Sequence, residues 1–251
     1  MIISVINQKG GVGKTTTVSA LCNGLKARGY KVLAVDLDAQ GNLTYSFGAS
    51  SERSTVLGVL TGEVSAKDAI QHTEQGDIIS SSKSLIGADA FLTDTGKEYT
   101  LKEGLEAIKK DYDFIILDTP PTLGILTVNA LTASDTVVIP AQADIFSLQG
   151  IEQLSNTIRP VKKYTNKDLT INGILLVRYN PRSVLSKEVS ELADQLAQRI
   201  DTTLYKATIR EAIAVKECAI SQRGLFEYAP KSNVATDYNA FIDELLQRIN
   251  N

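Results

Sequence analysis

Residues 9–16 read Lys9-Gly10-Gly11-Val12-Gly13-Lys14-Thr15-Thr16, and this segment constrains the chain more than any other. It follows an apolar run at residues 2–6 (IISVI) and precedes Val18, Leu21, Cys22 and Leu25, which fall on one face of a helix. A glycine-rich loop between a buried strand and a helix is what a phosphate cradle requires. Three glycines let the backbone curl so that its N–H groups point inward. The helix N-terminus behind them adds the positive end of its dipole. Lys14 would reach the outer phosphates, and the Thr15 hydroxyl would ligate Mg²⁺. Gly10, Gly11, Val12, Gly13, Lys14, Thr15 and Thr16 together form the candidate nucleotide cradle. A chain with this element must hold strand, loop and helix in that order at a sheet edge.

The rest of the sequence repeats the alternation. Residues 32–35 (VLAV), 114–117 (FIIL), 136–139 (TVVI) and 174–177 (ILLV) read as buried strands. Gly29 stops the first helix. Leu148, Ile151, Leu154, Ile158 and Val161 mark a helix after the fourth strand, and Leu185, Val189, Leu192, Leu196 and Ile200 another after the fifth. Tyr238, Phe241, Ile242, Leu245 and Ile249 mark a C-terminal helix. The pattern predicts an α/β fold with a doubly wound, mostly parallel sheet and helices on both faces, residues 1–251 forming one domain. Between 80 and 100, Ser, Gly and Asp interrupt every period, and no element is assigned there. Two cysteines and one histidine exclude a disulfide framework and a structural zinc site. The N-terminus lacks a signal peptide's basic region, and no apolar stretch approaches the ~18 residues of a membrane span. A soluble cytoplasmic protein is expected.

Carboxylates fall where such a sheet would present ligands, beyond the carboxyl ends of its strands. Asp118 ends the run FIIL before Thr119-Pro120-Pro121, the position of an aspartate that holds Mg²⁺ through water. Asp36 and Asp38 follow the second strand two residues apart, so on an extended backbone they project to the same side. Arg178-Tyr179-Asn180-Pro181 follows the strand ILLV; the Asn180 amide can both donate to and accept from a base edge, and Asn-Pro is also a turn signal.

One residue departs from the general pattern: Gln8 stands where its first glycine belongs, and Lys9 follows at once. A second cation in a tight loop needs an anionic partner. With that lysine, KGGVGKTT resembles the deviant Walker A motif of the ParA/MinD/nitrogenase-iron-protein class of P-loop NTPases. DLDAQGN at 36–42 resembles that class's switch I, and DTPPTLG at 118–124 its switch II. The resemblance extends over nearly the whole chain. It implies an ATPase that forms a homodimer around ATP, in which Lys9 crosses to the partner's phosphates as an arginine finger does. It further implies that Asp38 orients the attacking water, that Asp36 lies nearer the Mg²⁺ shell, and that Asn180 meets adenine.

QGN after the second strand resembles ParA partition ATPases more than MinD, whereas RYNP is the more MinD-like segment. The final residues, 237–251, carry Asp237, Asp243 and Glu244 against Arg248, unlike the basic helix with which MinD grips lipid, so no membrane partner is expected. Net charge is -3, yet from Arg159 to Lys231 there are 13 Lys/Arg and 8 Asp/Glu, a local excess of +5. ParA-type proteins bind DNA without sequence preference. The candidates here are Lys162, Lys163, Arg182, Lys187, Arg210, Lys216 and Arg223. The function this implies is ATP-switched plasmid or chromosome partition on the nucleoid with a ParB-type centromere-binding partner. Two alternatives stay open: a MinD-like or other ATPase positioning a protein cargo, and a metabolic enzyme of the cobyrinate-synthase type, for whose usual glutamine-hydrolysing domain the sequence after the ATPase leaves no length.

Overall fold

Five apolar runs become five consecutive strands of a seven-stranded sheet. The strands are β1 (Ile2–Val5), β2 (Val32–Asp36), β3 (Ile70–His72), β4 (Asp77–Ile79), β5 (Phe114–Asp118), β6 (Thr136–Gln142) and β7 (Thr170–Val177), ordered β3-β4-β2-β5-β1-β6-β7. The computed structural model describes residues 1–250, of which Ile145, Phe146, Val184 and Leu185 are described by backbone alone. The sequence-based reading of Leu185 as a core position therefore lies outside the described residues. All strand pairs are parallel except β3 with β4. β1, β2 and β5 are buried along their whole length, which is why they read as continuous apolar runs rather than alternating ones.

The helices are α1 (Lys14–Ala27), α2 (Asn42–Ser46), α3 (Val56–Thr61), α4 (Ala66–Ala69), α5 (Ala88–Phe91), α6 (Thr100–Glu106), α7 (Ile125–Ala133), α8 (Ile145–Tyr164), α9 (Val184–Arg199), α10 (Ala214–Ile220), α11 (Leu225–Tyr228) and α12 (Asn233–Asn250). They cover both faces of the sheet. Ile3, Val5, Ala34, Ile116, Val138 and Leu175 point toward α1 and α12. Their neighbours Ile2, Leu33, Val35, Ile115 and Leu117 point the other way, toward α3, α6 and α7. Val137, Ile139, Ile174 and Leu176 extend that second face under α8 and α9. Of the apolar face predicted for α9, Val189 is buried and Leu196 and Ile200 pack partly buried against the core, while Leu192 turns out to solvent; Ala193 and Ala197, not read from the sequence, complete the buried face.

Between 80 and 100 the chain forms a 3-10 turn at Lys83–Leu85 and the short α5, which explains the missing periodicity. The β3–β4 hairpin also escaped the sequence reading, because three-residue strands are too short for a period of two to show.

The C-terminal helix packs tightly on α1. A Cβ built on Gly24 would lie 2.2 Å from Ile242 Cδ1, so glycine is what permits this approach. The acids of α12 are spent inside the molecule. Asp237 binds Arg210 at 2.7 and 2.8 Å, Asp243 binds Arg28 at 2.6 Å, and Glu244 accepts from the backbone N–H groups of Lys206 and Ala207, each at 3.0 Å. Arg248 donates to the carbonyls of Asn172 and Leu204. α12 thereby clamps residues 204–210 beside β7. Among the described residues no helix is long and apolar enough to cross a membrane.

Candidate functional site

β1 lies between β5 and β6, so the glycine loop leaves the sheet flanked by Asp118 on one side and by the β6–α8 connection on the other. Asn7 fixes its exit. The buried Asn7 amide donates to the Pro140 carbonyl at 2.8 Å, and its oxygen accepts from Lys9 N at 2.9 Å. Gly11 and Gly13 take φ of +75° and +78°, the left-handed region that the curl needs. Gly13 is the N-cap of α1 and offers no side-chain acceptor, which leaves the first N–H groups of α1 free for an anion. Val12 is buried as the loop's anchor, while Gly10 and Gly11 face solvent. Lys14 is buried, and its ammonium turns back to the Lys9 carbonyl at 3.3 Å. Burial lowers its pKa, opposed by the charges of Asp118 and Asp38.

The carboxylates behind the loop are close-set and under-compensated. Asp36 and Asp118 are partners in register at the ends of β2 and β5, and both are fully buried. Thr15 Oγ1 donates to Asp118 Oδ2 at 2.7 Å, whereas Asp118 Oδ1 is buried with no hydrogen-bond partner among the described residues. Burial, then the neighbouring Asp36 charge, push the Asp118 pKa well up. Asp36 is pushed up to about 6, chiefly by burial.

Asp36 and Asp38 do not behave as a pair on one side of an extended strand, because β2 stops at Asp36. Asp36 turns inward and accepts from Thr44 N and Thr44 Oγ1 at 2.9 and 2.7 Å and from Asp38 N at 3.1 Å. It thereby caps α2, whose own N-cap, Gly41, has no side chain to offer. Asp38 is partly exposed at the loop and accepts from Gln40 N at 3.0 Å.

A site built from one orphaned carboxylate oxygen, a threonine hydroxyl and nearby N–H donors fits a hard divalent cation sharing its ligands with phosphate. Among the described residues no group of three or more His, Cys, Asp or Glu could hold a metal alone.

Lys9 finds its anion on its own chain. Its ammonium lies 2.9 and 2.8 Å from the two carboxylate oxygens of Asp144 and 3.3 Å from Ser147 Oγ. Asp144 is the N-cap of α8, accepting from Ser147 N at 2.9 Å. Sequence reasoning missed Asn7, Thr44 and Asp144; for the last, an Asp followed three residues later by Ser before a helical period was the available signal.

On the far side of the loop, Asn180 is exposed and its oxygen accepts from Arg182 N at 3.0 Å, so its side chain shapes an Asn-Pro turn. Arg178 before it takes φ of +51°, a strained conformation for a non-glycine residue. A cavity of about 530 Å³ is lined there by Arg178, Tyr179, Asn180, Arg210, Glu211 and Asp237. A smaller one of about 100 Å³, lined by Gly13, Thr16, Val177, Ile209, Val215 and Tyr238, joins it to the loop.

The seven basic candidates do not form one patch. Lys162 and Lys163 lie at the C-terminal end of α8, at the opposite end of the sheet from the loop, with Lys163 over the Tyr164 ring at 4.9 Å. Arg182, Lys187, Arg210, Lys216 and Arg223 belong to the segments that follow β7. Arg210 is already paired with Asp237 and Arg223 with Glu227. Among the described residues Arg182, Lys187 and Lys216 are exposed and make no ion pair. Cys22 and Cys218 are buried free thiols.

Comparison with known proteins finds relatives along nearly the whole chain. Residues 1–171 match the family model AAA_31, an AAA domain. Sporulation initiation inhibitor protein Soj of Bacillus subtilis is 40% identical over 242 residues, covering 94% of each chain. Chromosome partitioning protein ParA of Caulobacter vibrioides is 35% identical over 254 residues, covering 98% of this chain and 94% of its own. A solved structure, cobyrinic acid a,c-diamide synthase from Mycobacterium smegmatis with bound ADP and magnesium, superposes with a TM-score of 0.85 at 35% identity, covering 99% of this chain and 95% of that one.

Proposed function

The chain belongs to the ParA/Soj family of P-loop ATPases, and from that premise we propose that it is a switch that hydrolyses ATP to move DNA. Residues 1–251 act as one ATPase domain. ATP occupies the glycine loop, with its phosphates on the N–H groups of residues 10–16 and the Lys14 ammonium swung from the Lys9 carbonyl to phosphate oxygen. Asn180 and the cavity beside it receive the base. Thr15 and Asp118 hold Mg²⁺, which when bound neutralises phosphate charge. The observation that carries this reading is the orphaned Asp118 Oδ1 beside the Thr15–Asp118 hydrogen bond, directly behind an anion-binding helix end.

Asp36, with both oxygens engaged by Thr44 and Asp38, supports Asp118 and the switch I turn from behind rather than contacting metal. Asp38, partly exposed at the loop, orients the attacking water. Its carboxylate accepts a hydrogen bond from that water for in-line displacement at the γ-phosphate. Catalysis comes from positioning and charge neutralisation, with no covalent intermediate. A second copy supplies Lys9 in trans, so hydrolysis is coupled to dimerisation.

In its dimeric ATP state the protein binds DNA without sequence preference on the nucleoid, and a ParB-type partner stimulates hydrolysis and release. Lys187, Arg182 and Lys216 are the better phosphate-contact candidates, because their charges are uncompensated. Arg210 and Arg223 serve internal pairs.

Binding to duplex DNA without nucleotide, with ADP, with ATP and with a slowly hydrolysed analogue, at two salt concentrations, tests the proposal. ATP-dependent dimers that hold DNA and lose it as salt rises are the expected result. ATP dimers without DNA affinity would transfer the chain to protein positioning. A monomer that hydrolyses ATP only beside a carboxylate substrate would place it with the synthase from Mycobacterium smegmatis instead.

A further inference from the structure

The Lys9–Asp144 pair lies at the point where a trans-acting lysine must let go of its own chain. Both oxygens of Asp144 contact the ammonium, and Ser147 Oγ bonds Asp144 Oδ2 at 3.0 Å while also approaching Lys9. The residues around Lys9 lean on the same helix. Gln8 bonds Gln153, and a Cβ at Gly150 would stand 3.4 Å from Asn7 Oδ1 and 3.6 Å from Gln8 Cγ. Residues 7–9 therefore rest along the first three turns of α8, with Lys9 moored at its N-terminus. A cation at a helix N-terminus opposes the helix dipole, and the Asp144 carboxylate offsets this.

We propose that Asp144 is a positioning residue: it holds Lys9 in cis in the nucleotide-free chain, and closing the ATP dimer exchanges this carboxylate for the second copy's phosphate oxygens. The inference rests on the proposed trans role of Lys9. The side chains of the pair are 32% and 31% exposed, so water and salt screen their attraction. Triphosphate oxygens enclosed between two copies carry more charge and meet the ammonium with less screening, so the exchange runs downhill only once both copies and ATP are present. Asp144 thus sets a threshold against premature pairing. It also keeps the flexible lysine off the loop's own phosphates. Breaking the contact needs no helix movement, because Asp144 remains bonded to Ser147 N after Lys9 leaves.

The test is Asp144→Asn in the full chain. Asparagine is as good an N-cap as aspartate, so α8 keeps its start while the charge is lost. The first readout is the acylation rate of the Lys9 amine without nucleotide, followed by peptide mass spectrometry. The second is the ATP concentration giving half-maximal dimer by light scattering. The variant should acylate Lys9 about threefold faster and dimerise at about threefold lower ATP, the range of a screened ion pair. Asp144→Glu should return both values toward wild type, which a purely structural defect at the cap would not do. If Asn is not tolerated, Asp144→Ser, also an N-cap residue, replaces it. Unchanged Lys9 reactivity, or dimerisation that needs more ATP while wild type dimerises normally, overturns the inference. A wild-type chain that stays monomeric with ATP overturns the trans role of Lys9 itself, and the exchange with it.

Discussion

Asp118→Asn should make the nucleotide-free protein more stable while disabling it. Asp36, in register beside Asp118, has a pKa pushed up from 3.8 to about 6. That difference corresponds to about 3 kcal/mol against the charged form above pH 6. Asp118 is fully buried and shifted in the same direction, with Asp36 the second largest cause. Asparagine removes the desolvated charge and its repulsion with Asp36, and its carbonyl can still accept from Thr15. Its NH₂ then occupies the place of the orphaned Oδ1, and an unsatisfied donor costs about 1 kcal/mol. The buried charge costs more than the unsatisfied donor, so the net gain is on the order of 1 kcal/mol, or roughly 2–4 °C in Tm for a chain of this size. A raised native pKa means the folded state binds more protons than the unfolded state between the two values. Wild-type stability therefore falls as pH rises from about 4 through the native pKa, and the advantage of asparagine grows over the same interval. Urea midpoints at pH 4.5, 6 and 7.5, without Mg²⁺ or nucleotide, measure it. A variant less stable than wild type at pH 7.5, with an unchanged pH slope, would refute the reasoning that this carboxyl is penalised when charged.

Lys14→Met should weaken ATP binding by roughly 10–150-fold, the worth of a charge-assisted hydrogen bond, as read by titration with a fluorescent nucleotide. Asp38→Ala should leave ATP-dependent dimers intact while lowering the single-turnover hydrolysis rate by about 100-fold or more, and an unchanged rate would remove Asp38 from the chemistry. Gly24→Ala should destabilise the fold by about 1–3 kcal/mol in urea despite alanine's higher helix propensity, since its Cβ would lie 2.2 Å from Ile242 Cδ1 and 2.8 Å from Phe226 Cε2.

What the sequence shows depends on how far each signal reaches. β1, β2, β5, β6 and β7 were legible because strands buried on both faces must be apolar throughout, and α1, α8 and α12 because long helices repeat their apolar face several times. The place of the loop between β1 and α1 was legible, since a backbone that curls this tightly demands glycines, and Gly11 and Gly13 do take positive φ. Asp118 was placed by the end of its apolar run. The partner of Lys9 was hidden, because Asp144 lies 135 residues away and only the adjacency of β1 and β6 brings them together. Asp36 was read with Asp38 on the assumption of an extended chain, and the strand's end at Asp36 turns the two side chains apart, Asp36 onto Thr44 and Asp38 onto Gln40 N. The basic stretch was contiguous in sequence, but a 20-residue helix carries Lys162 and Lys163 to the other end of the sheet.

The clamp formed by α12 fixes a length. Asp237 holds Arg210, and Glu244 holds the N–H groups of Lys206 and Ala207. The two acids are seven residues apart, two turns on one helix face. Together they act as a ruler laid along residues 206–210, one edge of which walls the cavity beside Asn180. Substitutions on the outer face of α12 would leave that ruler intact. A residue inserted or deleted between Asp237 and Glu244 would swing one mark by about 100° and slide it about 1.5 Å. The spacing along this helix, more than the identity of its exposed residues, therefore sets the shape of a cavity on a different element.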